Sequence, residues 1–229
     1  MRRPPPPHTT ANNQTDIRHD DRGKLLPDYL HETIFKPLGM PDTAFFVPPE
    51  KLSRFAPCSF IDETWKDVAA QSPYRVPRRH LTSGGVGLVS TLSDYTKFML
   101  MLQHRGQLPG GPRVLSRKTV EFMMINHLEP GVTIPAGFLH AHKGCGFGIG
   151  GSVVLDPSRN ALLGSKGQWS WGGAANTYMN LDMEEDLGFL LITQVMPSFK
   201  LCQWRRDLQF LVPPPAQWSW PSRNQVNRG

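Results

Sequence analysis

Residues 168–194 read QWSWGGAANTYMNLDMEEDLGFLLITQ, and this stretch limits the fold more than any other. Two runs of good strand formers, TYMNLD and LGFLLITQ, flank an acidic turn at Met183, Glu184 and Glu185. A Trp-Gly-Gly corner, Trp171–Gly172–Gly173, opens the first run. The pattern predicts two antiparallel strands joined by a tight solvated tip. Upstream, GFGIGGSVVLD and NALLGSKG are equally short and Gly-punctuated and read as further strands. The second half of the chain therefore predicts an antiparallel sheet.

The first half carries helical signals instead. In LLPDYLHETIFKPLGM, Pro27 suits a first helical turn, Leu30, Ile34 and Leu38 repeat on one face, and Gly39 supplies a stop. TLSDYTKFMLMLQHRG pairs Thr91 with Asp94 at capping-box spacing and sets Tyr95, Phe98, Met99 and Leu102 along one stripe before Gly106. LSRKTVEFMMINHL predicts a third helix with Ser116 as N-cap. The segment between the first two helices is loop-rich, with prolines breaking each periodic pattern. LCQWRRDLQFLV reads as a closing amphipathic helix. Helices, then strands, then a helix give an α+β layer arrangement.

Hydrophobic residues at 39% and charged residues at 19% of 229 positions fit one domain with a real core. That domain is expected over residues 23–212. Residues 1–22, opening on MRRPPPPHTTANNQTD, read as a disordered proline-rich arm, and 213–229 as a disordered tail. The net charge of +6 is scattered rather than gathered in a stripe, so no nucleic-acid partner is expected. Cys58, Cys145 and Cys202 lie far apart and make no disulfide framework. No apolar run reaches the roughly 18 residues of a membrane span, and four prolines follow Arg3 where a signal peptide would be apolar. A cytoplasmic location is expected. His140, His142 and Cys145 have metal-ligand types at short spacing but no fourth ligand; they read as a surface loop, with no metal and no cofactor.

Four segments in order carry a family resemblance. DYLHETIFKPLGMPDTAF, the stretch from SGGVGLVSTLSDY to EFMMINHL, GFGIGGSVVLD, and QWSWGGAANTYMNLDMEEDLGFLLITQ resemble successive parts of the serine β-lactamase and penicillin-binding-protein superfamily. The Trp-Gly-Gly form is closest in style to its carboxylesterase branch. The resemblance spans about Gly23 to Val212 and implies a β-lactamase/transpeptidase-like α+β fold, an antiparallel sheet flanked by helices and incomplete at its N-terminus. It implies that Trp171 stands at the position of the family's strand lysine, that Gly172 and Gly173 let the backbone approach substrate, and that Ala174 offers its N–H to an oxyanion. The implied substrate is a small ester or amide, attacked through an acyl-enzyme.

The family's nucleophile is a serine one helical turn before a lysine, Ser-x-x-Lys. None of the nine lysines here has a serine three residues earlier; the nearest match is Thr33–Lys36. Tyr178–Met179–Asn180 matches Tyr-x-Asn but follows the Trp-Gly-Gly corner, in the wrong strand. The chain is thus expected to begin after the nucleophile has passed, which would leave one sheet face bare and one strand edge open for homo- or hetero-association. A misassigned gene start fits the proline arm equally well. Two readings follow: a truncated hydrolase domain inactive alone, or a non-catalytic pseudoenzyme that binds through the edge.

Overall fold

The Leu30, Ile34 and Leu38 repeat does form a helix, but not a uniform one. In the computed structural model, which describes residues 24–66, 84–85, 87–132, 144–159 and 163–197, α1 (Leu26–Leu30) passes through a π turn (His31–Phe35) into α2 (Lys36–Leu38). The Lys36 N–H reaches back to the His31 carbonyl. This wider register falls just before Pro37, whose ring would strike the Thr33 carbonyl in a regular α turn. Gly39, at φ 64°, ends the helix in the left-handed region. A short 3-10 helix (Pro49–Arg54) and β1 (Ser59–Phe60) follow.

In α3 (Leu92–Gln103) the Thr91 hydroxyl oxygen accepts the Asp94 N–H at 3.2 Å, as the capping signal predicts. Asp94 does not reach back to complete the box. Its carboxylate is buried and accepts the Asp42 N–H at 2.7 Å and the Thr43 hydroxyl at 3.1 Å, with the Lys97 ammonium 3.5 Å away. One side chain therefore pins α3 to the turn after α2. Ser116 caps α4 (Arg117–Met123), its oxygen accepting the Thr119 N–H at 3.0 Å. This helix stops earlier than the sequence predicts. The Ile149 N–H takes the Met123 carbonyl and the His127 N–H donates to Phe147, so residues 124–127 serve the sheet instead.

The sheet runs β2 (Cys145–Phe147), β3 (Ser152–Val154), β4 (Trp169–Gly172), β5 (Tyr178–Asp182) and β6 (Leu187–Leu191), neighbours in that order and all antiparallel. The predicted strand at NALLGSKG is not formed over 163–167, where a turn precedes β4. Asp182 explains the sharp acidic turn: its buried carboxylate accepts the N–H groups of Ser165, Glu184 and Glu185. A single core cluster joins both layers, with Leu38, Met101, Leu102 and Val120 from the helices against Val153, Trp169, Met179 and Leu181 from the strands.

Two expectations about a bare sheet separate here. All five residues of β5 are buried, so both of its faces are covered and the bare face is not seen there. The edges β2 and β6 are each paired on one side only among the described residues. Sequence reasoning missed a small parallel ribbon: β1 pairs with β7 (Val195–Met196), Ser59 beside Val195 and Phe60 beside Met196. The predicted terminal arms and the helix at LCQWRRDLQFLV lie outside the described residues.

Candidate active site

The Trp-Gly-Gly corner sits where β4 outruns its neighbour. Pairing with β3 ends at Ser170 opposite Ser152, while pairing with β5 continues through Trp171–Met179 and Gly172–Tyr178. The Gly173 N–H bonds to the Thr177 carbonyl at 3.0 Å. Antiparallel alternation then turns the N–H and C=O of Gly172 toward the other side, past the end of β3. The half-buried Trp171 ring meets Phe147 edge-on, with centroids 5.0 Å apart and planes at 79°.

Ala174, Ala175 and Asn176 form a three-residue hairpin loop closed by Gly173 and Thr177. The Asn176 N–H donates to the Gly173 carbonyl at 3.1 Å, and Asn176 itself is left-handed at φ 62° and fully buried. Asn tolerates that conformation, which such loops require at their last position. Gly173 is needed for space: a β-carbon there would lie 2.5 Å from the Thr177 hydroxyl oxygen. Because a trans peptide sets C=O and N–H on opposite sides, a Gly173 carbonyl turned into the loop turns the Ala174 N–H out of it. Ala174 is exposed, and no acceptor among the described residues takes its N–H.

The structure thus brings Trp171, Gly172, Gly173 and Ala174 together at one strand end. Phe147, Asn176, Thr177 and Thr193 were missed by sequence reasoning. Only Asn176 carried a usable signal, an Asn at the close of a Gly-rich hairpin. On the far side of the loop, the Ala175 carbonyl accepts the Thr193 hydroxyl at 2.7 Å and the Val195 N–H at 3.1 Å. Val195 belongs to the ribbon with β1, so residues 59–61 brace the loop from behind.

Other candidates do not join this corner. Thr33 lies in the π turn, its hydroxyl donating to the Tyr29 carbonyl at 2.6 Å. Tyr178 and Asn180 are both buried in β5, with the amide donating to the phenol oxygen at 3.4 Å. His140 and His142 lie outside the described residues, and Cys145 is buried in β2 and forms no disulfide. Among the described residues no group of three or more His, Cys, Asp or Glu could hold a metal ion. No helix among them is long and apolar enough to cross a membrane.

Comparison with known proteins agrees with this architecture. The model of the beta-lactamase family matches residues 17–211. The protein Rv1367c of Mycobacterium tuberculosis is 34% identical over 184 residues, covering 77% of this chain and 45% of its own length. The chain therefore spans a little under half of that relative. Simvastatin synthase (LovD) of Aspergillus terreus superposes with a TM-score of 0.71 at 24% identity, over 86% of this chain and 51% of the synthase. EstCE1, a hydrolase with promiscuous acyltransferase activity, superposes with a TM-score of 0.66 at 18% identity, over 82% of this chain and 51% of its own. These two structural likenesses establish the fold, and the match over residues 17–211 places this chain in the beta-lactamase family.

Proposed function

We propose that this chain carries the oxyanion side of a serine-hydrolase site whose nucleophile is not among its 229 residues, and that alone it does not turn over substrate. The observation that supports this most is the outward Ala174 N–H beside the overhanging Gly172 backbone. A fixed N–H of that kind stabilises the negative oxygen that develops when a carbonyl is attacked. Gly172 would hold an extended ester or amide substrate alongside, and Trp171 with Phe147 would wall it. An ester-type acyl transfer is in keeping with EstCE1, a hydrolase with acyltransferase activity, and with the synthase of similar fold.

Chemistry requires a serine activated by a neighbouring base, and the 229 residues hold no Ser-x-x-Lys. The expected result is p-nitrophenyl acetate hydrolysis by the folded chain at the buffer rate. Turnover well above buffer that Thr33→Ala abolishes would overturn the reading.

One observation favours a second, non-catalytic role. Among the described residues β6 is an edge strand, and it reads LGFLL, without a charge, a proline or a bulge to discourage pairing. Edges in isolated sheets are blunted by such devices, so this one suits a strand supplied by another copy or another polypeptide. Light scattering after size exclusion should then show association; a clean monomer at 25.7 kDa counts against it.

A further inference from the structure

We infer that Thr193 is a positioning residue for the Ala174 N–H, acting through a relay of two peptide groups; this rests on the reading of Ala174 as an oxyanion donor. The relay can be followed bond by bond. The Thr193 hydroxyl donates to the Ala175 carbonyl at 2.7 Å. That carbonyl shares its peptide plane with the Asn176 N–H, which donates to the Gly173 carbonyl at 3.1 Å. The Gly173 carbonyl shares its plane in turn with the Ala174 N–H. A trans peptide fixes the two groups of each plane in opposite directions. Holding Ala175 C=O from behind therefore fixes the direction in which Ala174 N–H points in front.

The same series of bonds polarises as well as orients. Each donor that engages a carbonyl makes the N–H of the same peptide a better donor, so aligned amides strengthen one another. Ala175 C=O receives two donors, from Thr193 and from the Val195 N–H at 3.1 Å. Of these, only the Thr193 hydroxyl can be removed by changing a side chain. It lies on the side of the loop opposite Ala174 N–H, so its effect on a bound anion would be indirect.

The test follows the Ala174 amide by NMR in the full chain labelled with nitrogen-15 alanine. Phenylphosphonate, a stable tetrahedral anion, is titrated into the wild type, Thr193→Val and Thr193→Ser. In the wild type the Ala174 resonance should shift saturably. Thr193→Val should weaken that binding by about three- to tenfold, the size of one lost hydrogen bond. Thr193→Ser, which keeps the hydroxyl, should restore it at unchanged thermal stability.

Equal binding by wild type and Thr193→Val would refute the relay and leave Ala174 as the donor. A Thr193→Ser variant as weak as Thr193→Val would also refute it, because the hydroxyl would not be the operative group. An Ala174 resonance that ignores the anion in the wild type would overturn the oxyanion assignment and the relay with it. Should Thr193→Val fail to fold, Thr193→Ala takes its place in the same titration.

Discussion

Gly173 offers a measurement of how tightly the site loop is built. A β-carbon at this position would stand 2.5 Å from the Thr177 hydroxyl oxygen and 3.9 Å from the Thr177 β-carbon. The first distance is well inside van der Waals contact, while the second is ordinary packing. In Gly173→Ala the hydroxyl must therefore leave its place. Turning Thr177 off its rotamer costs about 0.5–1.5 kcal/mol, and the accompanying backbone shift brings overpacking to about 1–3 kcal/mol. Thr177→Ala removes the oxygen, so the double variant Gly173→Ala/Thr177→Ala meets nothing closer than the old β-carbon position. Urea denaturation followed by circular dichroism, on the two single variants and the double, gives the coupling energy directly. A favourable coupling of about 1–2 kcal/mol is expected. Strict additivity, or a Gly173→Ala cost below about 0.5 kcal/mol, would show that the loop yields without strain and would refute the close-approach argument.

Further perturbations probe the frame behind the site. Leu181 is fully buried in the interior strand β5, and Leu181→Ala should cost about 2–5 kcal/mol in the same denaturation assay. Asp94→Ala leaves the Asp42 N–H and the Thr43 hydroxyl without their shared acceptor and should cost about 3 kcal/mol; Asp94→Asn, which keeps one acceptor oxygen, should cost less. The hydrogen bonds of Lys51 and then Arg54 hold the Asp42 carboxyl below its ordinary value of 3.8. A carboxyl depressed in the folded state contributes its stability above the unfolded value and loses it as pH falls through the folded one. Melting temperature should therefore drop more steeply below about pH 4 in the parent than in Asp42→Asn, and parallel curves would count against the assignment.

The parts of the fold legible in the sequence were those set by local chemistry. Thr91 and Ser116 announced helix starts because their side chains satisfy nearby N–H groups, and Gly39 announced a stop because it can turn left-handed. The strands at residues 178–182 and 187–191 and their acidic turn were legible from strand formers bounded by turn residues, whereas the corner, expected to open the first of them, forms a separate strand, 169–172. What escaped was non-local. The β1–β7 ribbon has two residues per strand and joins distant parts of the chain, so no periodicity can mark it. Asp94 read as half of a capping box, yet its carboxylate serves a turn contributed by residues 42–43. The early end of α4 came from sheet residues that claim its last carbonyl. At the site, the Trp171–Ala174 corner was legible from its glycines. Thr193 was not, because its role exists only once the hairpin loop folds against it.

Fluorophosphonate labelling of the folded 229-residue chain, read by intact mass and peptide mapping, tests most directly whether these residues hold an activated nucleophile. The chain should stay at 25.7 kDa with no adduct, since its own serines lack an activating lysine one turn away. A stoichiometric adduct mapped to a serine or threonine within these residues would contradict this, and would mean that the nucleophile had been present in the chain all along.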